Sequence, residues 1–69
     1  MKKLYYTVEF GIEDQEYLTG NKSIYVYEIA NNEPKQILCF ECGNDENSKD
    51  QILDNLDSEK YPDVELINL

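Results

Sequence analysis

The pattern of hydrophobic and polar positions begins with a strict alternation over residues 4–12. One side of this segment carries only large apolar or aromatic residues, which are Leu4, Tyr6, Val8, Phe10 and Ile12. Mainly polar or small residues, together with Tyr5, occupy the positions between them. A period of two over nine residues predicts a β-strand with one buried face.

Two further strands are predicted at residues 23–30 and 36–42. In the first of these, Ile24 and Val26 share one side, whereas Tyr25, Tyr27 and Ile29 share the other. A strand that is apolar or aromatic on both sides is typical of a central position in a sheet. Residues 31–35 between the two strands contain two asparagines and a proline, and this composition predicts a turn.

A helix is predicted after the third strand. Ser48 is followed three residues later by Gln51, which is a capping-box pattern and makes Ser48 the predicted N-cap. The apolar stripe of Ile52, Leu53 and Leu56 has helical spacing. The helix is predicted to end near Glu59 or Lys60, because a residue that precedes proline disfavours the helical conformation. Residues 63–69 alternate again and predict a last strand.

The order of these elements predicts one α+β domain over residues 1–69. We expect a βββαβ arrangement, with a four-stranded, mainly antiparallel sheet and one helix packed on one face. A right-handed crossover through the helix would place the last strand parallel to the first, at the sheet edge.

Charge and residue usage narrow the chemistry. The chain has 69 residues, a net charge of −9, no histidine and no arginine. It therefore lacks the commonest general base and the bidentate phosphate clamp. A sequence pI of about 4.1 argues against direct binding to nucleic acid or anionic membranes. We expect a protein that is not an enzyme and that uses no cofactor.

Cys39 and Cys42, followed by Gly43, form the only chemical motif. A CxxC pair is half of a zinc ribbon, so a two-fold dimer would be needed to supply four thiolates. Redox chemistry is the other alternative for this pair. Because positions i and i+3 of a strand face opposite sides, the favoured interpretation is two small side chains filling strand positions and no metal site.

Carboxylates and tyrosines supply the candidate partner-binding residues. Asp50, Asp54 and Asp57 fall at i, i+4 and i+7 of the predicted helix, and Glu46 precedes them. Their spacing of about 6 Å is near that of phosphates along DNA, although a solvated outer face has the same pattern. A second set is expected on the sheet face that one helix leaves uncovered, either as an interface or as a half-wet face of paired side chains; it comprises Tyr5, Tyr25 and Tyr27.

The leading functional hypothesis is a small acidic protein that docks on a basic, nucleic-acid-binding surface of a partner and inhibits or regulates it. The short, acidic, arginine-free composition resembles in type that of phage-encoded inhibitors of host defence nucleases, and no motif extends the resemblance. The alternatives are a homodimeric structural or assembly module of a phage or low-G+C bacterium, and a dimeric zinc or redox protein using Cys39 and Cys42. Since no apolar run has the length of a signal sequence or membrane span, we expect a cytoplasmic location, in the host if phage-encoded.

Overall fold

The computed structural model describes residues 1–10 and 20–69. The predicted end of the first strand at residues 11–12 and the segment 13–19 lie outside the described residues. The described elements are β1 (Lys2–Phe10), β2 (Asn21–Ala30), β3 (Glu33–Gly43), α1 (Ser48–Asn55) and β4 (Val64–Asn68).

The strands form one mixed sheet in the order β3-β2-β1-β4. β1 pairs antiparallel with β2, and β2 pairs antiparallel with β3. β4 lies parallel to β1 at the sheet edge, with Leu4 opposite Leu66. The predicted α+β class is therefore confirmed, and the inner position of β2 agrees with its apolar residues on both sides.

The β2–β3 hairpin turns more tightly than the sequence predicts. Asn31 and Asn32 have φ values of 54° and 66°, and positive φ at both central residues is the mark of a type I′ turn. The turn predicted over residues 31–35 is therefore too long, because two asparagines suffice to reverse the chain. Pro34 lies within β3, where its missing N–H is tolerated because β3 is an edge strand.

A register shift interrupts the β2–β3 ladder. Val26 lies opposite Leu38, whereas the next residue, Tyr27, lies opposite Gln36. Ile37 is therefore an extra residue in β3, as in a β-bulge. The shift places Lys35, rather than Gln36, on the same side of the sheet as Glu28, its cross-strand partner.

The helix begins and ends differently from the prediction. Asn47, and not Ser48, is the N-cap, because Asn47 is extended and its side-chain oxygen accepts a 3.0 Å hydrogen bond from the Asp50 N–H. The helix ends at Asn55, and Leu56 is already extended. The predicted end near Glu59 or Lys60 is therefore wrong.

Asp57 explains why the helix does not continue. Its side-chain Oδ1 accepts a 3.0 Å hydrogen bond from the Glu59 N–H. Its carbonyl accepts hydrogen bonds from the backbone N–H groups of Lys60 and Tyr61, at 3.1 and 2.8 Å. Aspartate competes for nearby backbone donors in this way and favours a separate turn over further helix.

The core lies between the helix and one face of the sheet. Its fully buried members are Leu4, Ile24, Val26 and Ile52, and Tyr6 is 5% exposed. The predicted helical stripe is only partly correct, because Leu53 is 53% exposed. With α1 only eight residues long, Ile52 alone among its residues is buried, and Leu56 packs on the core from just beyond its end.

Candidate functional site

The register brings the predicted tyrosines together on the side of the sheet opposite the helix. Tyr5 lies directly across from Tyr27, and Tyr25 lies across from Thr7. Ile67 of β4 extends the row beyond Tyr5. We call this side the tyrosine face and define it by Tyr5, Tyr25, Tyr27 and Ile67.

The tyrosine face is half-buried by its own side chains. All four defining residues have intermediate exposure, and no described helix or strand covers them. Side chains that lie opposite each other on neighbouring strands are close enough to pack together. Ile29 of β2 points to the same side and is 51% exposed. The result is an aromatic and apolar surface whose centre is partly shielded and whose end is open.

Carboxylates lie at both ends of this face. Glu9 lies opposite Ser23, and Ser23 lies opposite Glu41, so that the two exposed glutamates flank one row across three strands. At the other end, Glu65 lies opposite Lys3. An aromatic centre with a charged, solvated rim is the usual anatomy of a protein-binding surface.

The predicted acidic stripe is only partly present. Asp50 and Asp54 are exposed on α1, and Glu46 is exposed just before its N-cap. Asp57 is exposed but lies beyond the helix end, where its side chain caps the following turn. The prediction that Asp57 continues the helical row is therefore wrong, because its local hydrogen bonds end the periodicity.

The two predicted binding sets lie on opposite sides of the sheet. Ile52 fixes α1 against the side that carries Leu4 and Ile24, whereas Tyr25 points to the other side. The carboxylates of α1 and the tyrosine face therefore do not form one continuous surface. A flat partner surface contacts one set or the other.

The two cysteines also lie on opposite sides. Cys39 is exposed on the side of the tyrosines, opposite Tyr25, whereas Cys42 is partly buried on the helix side, opposite Lys22. Both thiols are free. Within residues 1–10 and 20–69, no group of three or more potential metal-binding side chains comes together.

Two charged residues of β2, Lys22 and Glu28, make specific contacts that the sequence analysis does not predict. Lys22 is only 4% exposed; its ammonium donates a hydrogen bond to the Glu46 carbonyl and lies 5.7 Å from the centre of the Phe10 ring. Glu28 forms a 3.1 Å ion pair with Lys2, and this hydrogen bond lowers the pKa of the Glu28 carboxyl, aided by the charges of Lys35 and Lys60 and opposed by burial. The alternation of Ile24 and Val26 could have indicated both residues, because positions 22 and 28 continue the same alternation and therefore lie on the core side.

Comparison of this chain with known proteins gives no match that would assign it to a family. None of the described helices is long and apolar enough to cross a membrane. Searches against protein-family models, curated proteins and solved structures find no significant match to this chain.

Proposed function

We propose that this chain is an acidic protein-binding protein that docks through the tyrosine face on a basic surface of a partner and thereby inhibits or regulates it. The observation that carries the proposal is the placement of Tyr5, Tyr25 and Tyr27 on one face, with Glu9 and Glu41 together at one end of it. Tyrosine supplies contact area and a polar tip, and binding energy in interfaces concentrates on such residues.

The carboxylates of α1 support the proposal in a different way. Asp50 and Asp54 are exposed on the opposite side of the sheet and do not contact a partner seated on the tyrosines. They add to the net charge of −9, which attracts a cationic partner over a distance of several ångströms. We therefore assign contact to the tyrosine face and long-range attraction to the helix.

The net charge also indicates which class of partner the chain would bind, namely proteins that bind nucleic acid. Proteins that bind nucleic acid present clustered lysine and arginine side chains to the phosphates. A chain with a net charge of −9 complements such a surface and would block it when bound. We propose a nucleic-acid-binding defence protein as the partner, in keeping with an anti-defence role of the phage or mobile-element type.

Self-association through the same face is the competing function. It would bring two chains of net charge −9 together, with their exposed Glu9 and Glu41 side chains at the rim. Like charges in close contact oppose association, and physiological salt screens them only beyond about 8 Å. A basic partner removes this penalty, and for that reason we prefer it to a second copy.

Site-specific photo-crosslinking tests the proposal. A photoreactive phenylalanine analogue replaces Tyr25 in one variant and Leu53 in a matched variant, since Leu53 is exposed on the outer side of α1. We expect the Tyr25 probe to form an adduct with a basic protein in host lysate. Added wild-type chain should compete for that adduct, and high salt should weaken it.

Three results would contradict the proposal. An adduct formed by the Leu53 probe instead of the Tyr25 probe would place the interface on the helix side. An adduct of the Tyr25 probe with a second copy alone would favour the homodimeric module. An adduct whose yield is insensitive to salt would show that electrostatic attraction does not contribute to partner binding.

A further inference from the structure

A groove of about 450 Å³ lies at the end of the molecule where the helix stops. Its walls come from the β2–β3 corner and from the turn that follows α1. The polar and charged residues of its lining are Glu28, Lys35, Gln36, Asn55, Asp57 and Lys60. Pockets that bind small molecules usually span about 300–1,000 Å³, so the groove has the volume for such a ligand.

Local features of the chain build this groove. The extra residue Ile37 shifts the register of β3 and sets Lys35 opposite Glu28. The early end of α1 at Asn55 leaves space beside that corner. The backbone bond from the Tyr61 N–H to the Asp57 carbonyl, at 2.8 Å, then holds the turn that carries Lys60 and Tyr61 against the space.

Positive charge concentrates here although the chain is strongly acidic. Lys35 and Lys60 line the groove, and Lys2 pairs with the lining residue Glu28 at 3.1 Å, so three of the six lysines gather at one end. The carboxylates of the lining are Glu28, which Lys2 neutralises, and Asp57, whose Oδ1 accepts backbone N–H bonds. Neither Lys35 nor Lys60 forms an ion pair with a carboxylate of the described chain.

The groove also offers an aromatic and apolar wall. Two ammonium groups lie near the Tyr61 ring, with the Lys2 and Lys60 Nζ atoms 5.8 and 5.7 Å from its centre. Leu38 and Leu56 are partly buried beside it and line the same space. A ligand that complements this arrangement has an anionic group beside a flat apolar body.

We propose that this groove binds a small aromatic anion, in which a phosphate or carboxylate is attached to an aromatic ring. Lys35 and Lys60 hold the anionic group, and the ring packs against Tyr61, Leu38 and Leu56. Asn55 supplies a further hydrogen-bonding group at the wall. This site is separate from the tyrosine face, so its test is independent of the proposed partner.

NMR titration of the ¹⁵N-labelled chain tests the site with three probes: phenyl phosphate, benzoate and inorganic phosphate. We expect saturable shifts of the backbone amides at residues 35–38 and 55–61 with phenyl phosphate or benzoate, and the comparison of these two identifies the anionic group. Inorganic phosphate should bind more weakly, because it lacks the ring. We expect a dissociation constant below about 1 mM for the better of the two aromatic probes.

Two variants complete the test. Lys35→Gln combined with Lys60→Gln should weaken binding at least about tenfold, because charge-assisted hydrogen bonds to the anion are lost. Lys49→Gln is the matched control, since Lys49 is exposed on α1 and does not line the groove. Its dissociation constant should stay within about twofold of the wild type, as expected for a distant charge.

Several outcomes would overturn the proposal. One is the absence of saturable shifts with either aromatic probe. Equal weakening by the Lys49 control would show that the anion is attracted unspecifically to lysine side chains. Equal affinity for inorganic phosphate would show that the aromatic ring of the ligand does not contribute to binding. Unchanged affinity in a folded Lys35 and Lys60 double variant would show that the groove lysines do not hold the anion.

Discussion

The two faces of the sheet use the same strands but are closed by different means. On one face, Leu4, Ile24 and Val26 are fully buried because Ile52 of the helix and several partly buried side chains pack over them. On the other, Tyr5 and Tyr25 are shielded only in part. The first face provides a core, whereas the second retains apolar area that a partner can still bury.

This difference shows what alternation along a strand can and cannot specify. In β2, Ile24 and Ile29 are the same residue type five positions apart, and they point to opposite sides. One is 0% exposed and the other is 51% exposed. Identical side chains thus have different roles because an element distant in sequence covers only one face.

The largest expected effect is on the free energy of unfolding, and it is measured by replacing each of these two isoleucines with alanine. Ile24→Ala should lower the free energy of unfolding by about 2–5 kcal/mol, because it leaves a cavity in the core. Ile29→Ala should change it by about 0.5 kcal/mol or less, as usual for exposed positions. Urea unfolding followed by circular dichroism measures both. Equal losses would show that the tyrosine face is as tightly closed as the core.

The second effect concerns recognition. Tyr25→Ser combined with Tyr27→Ser should weaken affinity for the crosslinked partner about 30-fold, because loss of interface tyrosines commonly costs about 2 kcal/mol. Isothermal titration with the purified partner measures it. The helix-side variant Leu53→Ser is the control and should bind as the wild type does. Retained affinity in the tyrosine variant would move the interface away from this face.

The third effect concerns the charged end of the covered face. Since Lys2 lowers the pKa of Glu28 below its ordinary value of 4.5, the folded state favours the charged carboxylate. Its stabilisation is complete above the ordinary pKa and is lost as pH falls through the folded pKa. Glu28→Gln should therefore lower the urea midpoint at neutral pH and match the wild type in strong acid.

Glu41→Gln is the control for that measurement. It removes one charge from the tyrosine side, where Glu41 is exposed and forms no ion pair with a lysine of the described chain. Its urea midpoint at neutral pH should not fall as that of Glu28→Gln does. A similar loss in both variants would attribute the effect to net charge and not to the Lys2–Glu28 pair.

Much of the fold is encoded in local patterns. The alternation over Leu4, Tyr6 and Val8 gave β1, and the apolar residues on both sides of Tyr25 and Val26 gave the inner position of β2. These patterns are informative because a one-residue slip would turn every apolar side chain away from the core. The same register gave the grouping of Tyr5, Tyr25 and Tyr27.

The errors arose where a few hydrogen bonds decide between alternatives. Asn47 and Ser48 both have the chemistry of an N-cap, and only the backbone conformation selects Asn47. Asp57 has the spacing of a helical residue, but its side chain bonds the following turn. The groove beside Lys35 depends on a bulge at Ile37, and nothing in the local sequence marks that position.

The smallest expected effect separates the two acidic surfaces. Glu9→Gln with Glu41→Gln removes two charges from the rim of the tyrosine face, whereas Asp50→Asn with Asp54→Asn removes two from the helix. All four side chains are exposed, so folding should change by about 0.5 kcal/mol or less per site. The rim variant should lose about two- to fivefold in partner affinity, since exposed ion pairs contribute up to about 1 kcal/mol. The helix variant should mainly slow association, because its charges act only through long-range attraction.

Surface plasmon resonance at two salt concentrations separates the association and dissociation rate constants of these two variants. Identical losses in both variants would show that the partner responds only to net charge, and a greater loss in the helix variant would place the contact on the helix side.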